Sequence, residues 1–538
     1  MTTSSAGDLS DRAVARSTAA MTVLTALSRV TGLVRLLVMA AVLGTTFLGN
    51  TYESANTVPN LLFELFAAGM LQAVLVPTLV GLLDTQRRSD AEHVAGSVLG
   101  LTGIGLAVMA GVGIVFAEPL MRGLVSGVGD ADTQAAQAKL GAVFLRFFLP
   151  QVVLYVAGLV ATAVLNAHGR FAVPVFAPIV NNVVVTAAYV MFHVMREGAS
   201  PSLDLTTGQQ VVLAGGTTLG VLAFCSVPVV AALRLGFSLR PRFDYRDPRV
   251  RELGRRGAWA ALYLAMTQVL LAVLLVLANR VEGGVIAYRV AFTFFLLPHA
   301  LFAIPVFTAL YPRMSREAQA AAWDGYSRSV TQGLRVIALL VLPATAVFVA
   351  AAHAVTDVAL FGASADGSTQ VATALMGFAP GLIGYGGFLL ATRAFYAAGN
   401  TRTPALVNAG MVVAASVGMA VIAAVVPDRR LVGALGLVHS VAYVGATVVL
   451  VAMLRHHVPF RIGPGFGRAA ASALLGATLA GVAIAGVDSV VDGTGRAASL
   501  GMLVVAVAVG GALYAVVQRL AGGVRPAAFV HLLRSGPS

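Results

Sequence analysis

Arginine side chains occur inside several otherwise apolar segments, and they are the residues of this sequence best suited to binding chemistry. Arg29, Arg35 and Arg289 fall well within such segments. An arginine at the middle of a bilayer costs about 2.5–3.5 kcal/mol on insertion scales, so it faces a protein interior or a water-filled cavity. The planar guanidinium group offers paired donors that match phosphate oxygens. These three residues therefore predict a binding site for an anion.

Acidic side chains are too few in the same segments to cancel this positive charge. Of the 23 acidic residues, only Glu64 is expected well inside a span, where it would pair with an arginine while the site is empty. Arg146 and Arg393 lie nearer the span ends, where snorkelling or pairing with a backbone carbonyl is an equally good interpretation. A proton-coupled drug exporter would instead be expected to bury carboxylates. The balance of charge favours an anionic substrate.

The composition excludes most catalytic chemistry. Cys225 is the only cysteine, which rules out intramolecular disulfides and cysteine metal clusters, and the nine histidines show no metal-ligand spacing. Lys139 is the only lysine and follows Ala138, so the GxxxxGK loop of ATPases is absent. We therefore expect a protein that is not an enzyme, binds no ATP, metal or cofactor, and couples transport to the membrane potential or to a monovalent ion.

The elements that must position these arginines are membrane-spanning helices. Hydrophobic residues make up 58% of the 538 residues and charged residues 11%, against about 25% charged in soluble domains. Apolar stretches long enough to cross the roughly 30 Å hydrocarbon layer recur along the chain. They predict an all-α polytopic membrane protein with about fourteen transmembrane helices. The spans are predicted at 21–46, 57–83, 92–117, 139–166, 172–195, 211–236, 257–279, 285–312, 330–352, 371–398, 404–426, 431–454, 468–487 and 497–520.

The distribution of basic residues predicts the orientation in the membrane. Most of the 36 basic residues fall in alternate loops, and loops of this kind lie on the cytoplasmic side, which places both termini there. The most basic stretch is RLGFSLRPRFDYRDPRVRELGRR (234–256). We interpret it as a topology signal that also touches anionic lipid headgroups. Its aromatic residues are too sparse for a nucleic-acid-binding surface.

The same stretch divides the chain into two predicted lobes of six helices around a central cavity. A weak sequence repeat between AHGRFAVP (167–174) and AAGNTRTP (397–404) supports a division into two halves. Paired repeats are common in transporters. The predicted parts are a cytoplasmic tail (1–20), a first lobe (21–236), a basic linker (237–256), a second lobe (257–454), a helix pair (468–520) and a cytoplasmic tail (521–538).

Glycine and proline predict breaks in the helices that carry the charges. Arg29 and Arg35 are about 120° apart on a straight helix, so they share one cavity only if the helix bends, and Gly32 lies between them. Pro59 and Pro77 interrupt the second span, and the eighth contains three prolines, Pro298, Pro305 and Pro312. Broken helices in the first pair of each half are typical of a mobile, cavity-lining element.

Several segments resemble a known family in the order in which they occur there. They are SRVTGLVR (28–35), TVPNLLFELFAAGMLQAVLVPTL (57–79), FLRFFLPQ (144–151), LNAHGRFAVPVFAPIVNN (165–182), LPHALFAIPVFTALYPRMSR (297–316) and RAFYAAGNTRTP (393–404). In these segments the chain resembles the lipid II flippases of peptidoglycan synthesis, the MurJ or MviN family. That family belongs to the superfamily of multidrug, oligosaccharidyl-lipid and polysaccharide exporters. The resemblance covers most of residues 24–455.

The resemblance implies a multi-pass protein of a bacterial plasma membrane that moves the lipid-linked wall precursor, lipid II, from the inner to the outer leaflet by alternating access. Its partners would be this anionic prenyl-diphosphate lipid, membrane lipids and proteins of cell-wall synthesis. The last two helices would add a groove for the prenyl tail. The residues that the resemblance assigns to substrate binding are Arg29, Arg35, Arg289 and Asn50. Those assigned to charge pairing or gating are Glu64, Gly32 and Pro59, and those with a structural or secondary role are Arg146, Arg393, Asn166 and Asn181.

The chain departs from the family at several charged positions. Leu36 and Ala68 replace acidic residues, Asn50 replaces another, and Phe63 replaces a basic one. Thr293 is an alternative to Arg289 as the occupant of the eighth-helix position. These departures leave three other hypotheses: a flippase for another prenyl-diphosphate-linked glycan, a cation-coupled multidrug exporter of the same superfamily, and a membrane scaffold for wall-synthesis enzymes.

Overall fold

The structure is a computed structural model that describes residues 4–65, 75–244, 246, 248–488 and 495–521. Every regular element in these residues is helical, which confirms the predicted all-α class. A helix satisfies its own backbone N–H and C=O groups, as the interior of a bilayer requires. The chain forms two compact units, Met1–Gln268 and Val269–Ser538.

The first unit contains ten helices within the described residues and shares an eleventh with the second. They are α1 (Ser4–Leu43), α2 (Phe47–Phe63), α3 (Val76–Asp84), α4 (Arg88–Val115), α5 (Ala117–Leu124), α6 (Ala131–Phe148), α7 (Gln151–Ala167), α8 (Ala172–Met195), α9 (Thr207–Gln210), α10 (Gly216–Arg234) and α11 (Pro248–Ala278). The division between the units falls inside α11. Because α11 begins at Pro248, it includes part of the stretch predicted as a linker, 237–256.

The second unit contains ten further helices in its described part. They are α12 (Gly284–Pro298), α13 (Ile304–Gln319), α14 (Trp323–Ala350), α15 (Ala352–Ala359), α16 (Ser368–Phe378), α17 (Gly381–Ala397), α18 (Arg402–Val425), α19 (Asp428–His457), α20 (Phe466–Asp488) and α21 (Arg496–Leu520). Helices α20 and α21 pack together and against α14, where the Tyr514 hydroxyl donates to the Leu339 carbonyl at 2.7 Å.

Twelve helical segments of the described chain are long and apolar enough to cross a membrane, and a bent pair adds a thirteenth. The bent pair, Gly362–Phe378 and Gly381–Ala397, turns by 46°. Its position matches the predicted span 371–398. The predicted span 57–83 includes residues 66–74, which lie outside the described residues together with the predicted site position Ala68; its two ends form α2 and α3. The structure thus confirms a polytopic helical protein, with twelve or thirteen recognisable spans where about fourteen were expected.

The predicted helix breaks take several forms. At Gly32 the predicted break is wrong, because α1 runs through this residue without interruption. Pro59 lies inside α2 and is buried. In the eighth predicted span, a π-helical turn, His299–Ala303, follows Pro298 before the chain continues as α13. A π-helical turn accommodates the backbone donor and acceptor groups that a proline disturbs.

A buried aromatic cluster joins four helices of the first unit. The Tyr52 hydroxyl of α2 shares hydrogen bonds with Tyr189 of α8 at 2.9 Å and with Thr217 of α10 at 2.6 Å. Its ring meets Phe144 and Phe148 of α6 edge-on, with centroids 5.8 and 5.7 Å away. Buried hydroxyl groups stabilise a fold only when they find partners, so this network fixes how α2, α8 and α10 pack.

The beginning of the basic linker is held against α4 by backbone contacts. Arg242 donates its backbone N–H to the Gly96 carbonyl at 2.8 Å. A Cβ atom added at Gly96 would lie 2.4 Å from the Arg240 carbonyl oxygen, and one at Gly100 would lie 2.0 Å from that of Arg242. The His93 ring contacts the Asp244 carboxylate at 3.1 Å. Glycine at these two positions therefore permits the linker backbone to approach the helix.

We expect Gly100→Ala to destabilise the protein, because its methyl group would overlap the linker backbone. Overpacking of this kind costs about 1–3 kcal/mol. The matched control is Gly103→Ala in the same helix, where an added Cβ meets nothing within 4 Å. There the helix should gain up to about 1 kcal/mol. Thermal unfolding of the purified protein in detergent measures both changes, and equal midpoints for the two variants would contradict the close approach.

Candidate substrate site

Neither Arg29 nor Arg35 lies on the exposed apolar face of α1. The exposed apolar residues of this face are Val23, Leu27, Val30 and Val34. At 100° per residue, Arg29 lies about 100° and Arg35 about 140° from Val30 around the helix. An exposed apolar stripe of this kind suits contact with lipid tails. The two arginines therefore point away from the face best suited to lipid.

Asn182 of α8 holds the segment of α1 that carries these arginines. Its side-chain amide donates to the Thr31 hydroxyl at 3.1 Å and to the Ser28 carbonyl at 3.4 Å. A Cβ added at Gly32 would lie 3.6 Å from the same amide nitrogen, which is ordinary van der Waals contact. Gly32 therefore leaves room for the neighbouring helix without creating a bend. In this packing Arg35 is half-buried and Arg29 is exposed.

An aromatic side chain occupies a position where the family resemblance predicts a charge. The Tyr155 ring lies against Phe63 of α2, with centroids 5.2 Å apart. Phe63 is the position at which the family has a basic residue. An aromatic pair thus occupies the place of that charge.

Glu64 and Asn50 occupy different environments in α2. Glu64 caps the end of the helix and is half-buried, and none of the ion pairs among the described residues includes it. Asn50 is fully buried in the first unit. Contact between Asn50 and a substrate would require the helix packing around it to open. Their predicted roles in charge pairing and in substrate binding stay predictions.

The two other predicted asparagines and Arg146 lie at helix contacts and ends. Asn181 of α8 faces Gly220 of α10, where an added Cβ would lie 2.8 Å from its side-chain oxygen. That oxygen is buried and has no hydrogen-bond partner in the described structure. Asn166 is half-buried near the end of α7, and its carbonyl accepts from Gly169 N–H at 3.0 Å. Arg146 is exposed in the last turn of α6.

Arg393 stacks on aromatic rings of the second unit. Its guanidinium carbon lies 4.6 Å from the ring centroid of Phe307 and 6.0 Å from that of Tyr311, both on α13. A cation over an aromatic face is stabilised by about 0.5–2 kcal/mol. Arg289 of α12 is half-buried, and the hydroxyl of its alternative, Thr293, donates to the Arg289 carbonyl at 2.9 Å. The geometry gives Arg393 a packing role and leaves Arg289 as the candidate of this unit.

Burial lowers the pKa of the Arg196 guanidinium, which lies just beyond the end of α8. This group donates to the Val42 carbonyl at 3.0 Å and thereby ties the end of α1 to α8. At the start of α6, hydrogen bonds from Thr133 hold the pKa of Asp130 below its ordinary value. Both groups lie outside the membrane spans, and their contacts fix helix ends.

The sequence did not predict an apolar groove in the second unit. Its volume is about 460 Å³, and its walls come from α14, α17, α19 and the start of α20. Ile337, Val448 and Val451 are typical of the apolar lining, and Arg455 lies among the lining residues near the end of α19. The resemblance implied a groove made by the last two helices, whereas this one has only the first of them in its wall.

Comparison with known proteins shows the family. A model of the family described as "Lipid II flippase MurJ" matches residues 39–506. The chain belongs to the MurJ family. It is 28% identical to the lipid II flippase MurJ of Burkholderia cenocepacia over 72% of this chain and 74% of that protein. It is 24% identical to a probable lipid II flippase MurJ of Vibrio cholerae over 71% and 72% of the two chains.

Solved structures show the same fold. A lipid II flippase MurJ in an inward closed conformation matches 93% of this chain and 98% of its own, with a TM-score of 0.72 and 16% identity. An inward-facing multidrug resistance MATE transporter of the MOP superfamily matches 81% and 94%, with a TM-score of 0.63 and 12% identity. These matches confirm the predicted fold. MurJ proteins are multi-pass transporters and not enzymes, as expected.

We predict that Asn182→Ala weakens the attachment of α1 to α8. The variant loses two hydrogen bonds, each with a net contribution of about 0.5–1.5 kcal/mol, and the unfolding midpoint in detergent should fall. Asn181→Ala is the matched control, because it removes a buried oxygen that has no partner in the described structure. Its midpoint should stay the same or rise. A larger loss in Asn181→Ala than in Asn182→Ala would show that the assigned contacts are wrong.

Proposed function

We propose that this chain is a flippase that moves an anionic prenyl-diphosphate-linked lipid, the peptidoglycan precursor lipid II, from the inner to the outer leaflet by alternating access. The observation that carries the proposal is the position of Arg29 and Arg35 on α1, within a span but off its exposed apolar stripe. In the described part of the chain, neither arginine is in an ion pair. The two guanidinium groups are therefore available to an anion.

A diphosphate would supply the anionic partner that these arginines lack among the described residues. A guanidinium group away from bulk water is stabilised when it pairs with an anion through charge-assisted hydrogen bonds. Because α1 continues through Gly32 as one helix, Arg29 and Arg35 lie about 120° apart, and we expect them to contact the substrate from different sides. The names of the similar proteins in Burkholderia cenocepacia and Vibrio cholerae give lipid II as the lipid that those proteins flip, and this supports the same substrate here.

The groove of the second unit supports a lipid-linked substrate. Its walls are almost entirely apolar, and Arg455 is the one charged residue among those that line it. We infer that part of the prenyl chain lies along this groove. The bias of basic loops places both termini in the cytoplasm, so transport in this direction runs outward across the plasma membrane.

The drug-exporter alternative fits these observations less well. A cationic substrate would call for several carboxylates in the spans, whereas Glu64 is the one acidic residue expected well inside a span and Glu53 is a second, buried carboxylate of α2. A solved MATE transporter shares the fold, but the family model that matches this chain is MurJ. The fold is thus compatible with both substrates, and the charges of the spans favour the anionic one.

Removing either arginine of α1 should slow transport. Each charge-assisted hydrogen bond contributes about 1.5–3 kcal/mol, so Arg29→Ala and Arg35→Ala should each lower the rate of lipid II appearance in the outer leaflet by about 10- to 100-fold. Lysine at the same position should retain part of the activity. The control is Arg122→Ala, because Arg122 pairs with Glu118 on an exposed helix.

The assay is the accessibility of lipid II on the outer leaflet, together with complementation of a bacterial strain depleted of its own lipid II flippase. If both arginine variants transport lipid II at the wild-type rate, the proposal is wrong and the scaffold hypothesis is favoured. Failure of the wild-type chain to complement, with transport of another prenyl-diphosphate-linked glycan, would favour the first alternative substrate.

The membrane potential should act on the orientation of the empty site. Moving two negative charges outward is favoured by about 4–5 kcal/mol per 100 mV over a full cycle, and an empty site that retains positive charge is drawn toward the negative interior. Collapse of the potential should therefore increase exposure of the empty site to the outside.

Cysteine labelling can measure this shift. Cys225 is buried and is the only native cysteine, so Cys225→Ser gives a clean background. Leu33→Cys lies about one helical turn after Arg29. This cysteine should become more accessible from outside when an ionophore is added. Val30→Cys on the exposed apolar stripe serves as the control. Unchanged labelling of Leu33→Cys from both sides would show that the potential does not set the orientation.

A further inference from the structure

A second pair of arginines lines a cavity of the first unit that is separate from the arginines discussed above. The cavity has a volume of about 740 Å³ and lies where the beginning of α8 meets α1 and the end of α10. Arg170 and Arg234 are its two charged residues. Arg29 and Arg35 are not part of the lining.

The topology places both arginines at the same membrane boundary. Arg170 lies in the turn between α7 and α8, and Arg234 is the last residue of α10. Since α8 starts where α10 ends, the two residues are at the same level of the unit. The bias of basic loops assigns this level to the cytoplasmic side. The cavity therefore opens at the height of the inner-leaflet headgroups.

The walls of the cavity are apolar and partly accessible. Phe176 and Val230 line it and expose 43% and 44% of their surfaces. Leu24 of α1 and Val227 of α10 also belong to the apolar part, and Ser226 adds one hydroxyl group. The volume is that of a site for a compact ligand. A ligand that fills it needs an apolar portion beside its charged group.

The charged end of the cavity suits an anion. Every lining residue is described and none is acidic. Arg170 and Arg234 are both exposed, and neither forms an ion pair with another described residue. The first turn of α8 borders the same space, and its N-cap residue Phe171 gives it no side-chain hydrogen bond. The free N–H groups of a first turn add to the attraction for negative charge.

We propose that this cavity binds an anionic phospholipid of the inner leaflet. Its phosphate lies between Arg170 and Arg234, and an acyl chain runs along Val227 and Val230. Basic pockets between transmembrane helices on the cytoplasmic side bind anionic headgroups in this manner. A lipid held there contacts α1, α8 and α10 at once and stabilises the packing that carries Arg29 and Arg35.

The test uses the purified full chain with phosphatidylglycerol and phosphatidylcholine of identical acyl chains, and native mass spectrometry counts the bound lipid. Wild type should retain phosphatidylglycerol more strongly. Arg170→Gln combined with Arg234→Gln should weaken that retention by at least about tenfold, since a hydrogen bond to a charged group contributes about 1.5–3 kcal/mol. Arg87→Gln with Arg316→Gln is the control of equal charge, because both are exposed and lie outside the cavity.

Two further variants keep the test decisive if the glutamine variant folds poorly. Arg170→Lys with Arg234→Lys should retain most of the preference for phosphatidylglycerol. Val230→Trp, which fills the apolar wall without a change of charge, should lower retention of both phospholipids. Elution in detergent and the unfolding midpoint report on folding in each case.

Three outcomes would overturn the proposal. One is equal retention of the two phospholipids by the wild type. Another is unchanged retention of phosphatidylglycerol in the double glutamine variant. The last is loss of undecaprenyl diphosphate binding in that variant while phosphatidylglycerol binding persists, which would assign the cavity to the transported lipid. In contrast, slow lipid II transport by Arg29→Ala with normal phospholipid retention would separate this site from the proposed substrate site.

Discussion

A guanidinium group in the apolar layer of a membrane is unfavourable against lipid tails, and the packing of α1 on α8 determines which faces of α1 carry Arg29 and Arg35. Asn182 bonds to the backbone and side chain of α1 within one turn of Gly32. This contact fixes the rotation of α1, so the exposed apolar stripe and the arginines lie on different faces. A rotated helix would put Arg29 or Arg35 on that stripe, at a cost of about 2.5–3.5 kcal/mol each.

Hydropathy predicted the spans well because the length of an apolar run is visible in the local sequence and has to match the thickness of the bilayer. It does not describe how the predicted linker packs. The linker sequence 237–256 shows only its charge, whereas its beginning packs on Gly96 and Gly100 and its end belongs to α11. The packing of the linker's beginning depends on contacts with residues more than a hundred positions away. The helix at its end depends on helix propensity within a charged segment. Charge patterning reports on neither of them.

The sequence predicted which residues form the candidate site, but it did not predict which residues of other helices surround them. The sequence identifies which arginines lie inside spans, because burial of charge in an apolar run is visible without a structure. It does not show that Arg393 stacks on Phe307, that Asn50 has no exposed surface, or that Gly32 serves helix packing in place of a bend. Each of these depends on a neighbour from another helix. The proline-rich eighth span, in contrast, signals its π-helical turn locally.

The missing family charges bear on how the proposed transport is driven. Leu36 is buried, and Phe63 packs against Tyr155, so apolar and aromatic contacts occupy positions where the family has ionic groups. Three of the replaced residues are acidic and only Phe63 replaces a basic one, so we expect the empty site to keep more positive charge, which a bound diphosphate would neutralise. The loaded site then moves nearly without charge, while each uncompensated charge of the empty site is driven back by about 2.3 kcal/mol per 100 mV. For the proposed transport, we therefore expect the thinner charge pattern to strengthen the effect of the membrane potential on the return step and to lessen the need for a co-transported cation.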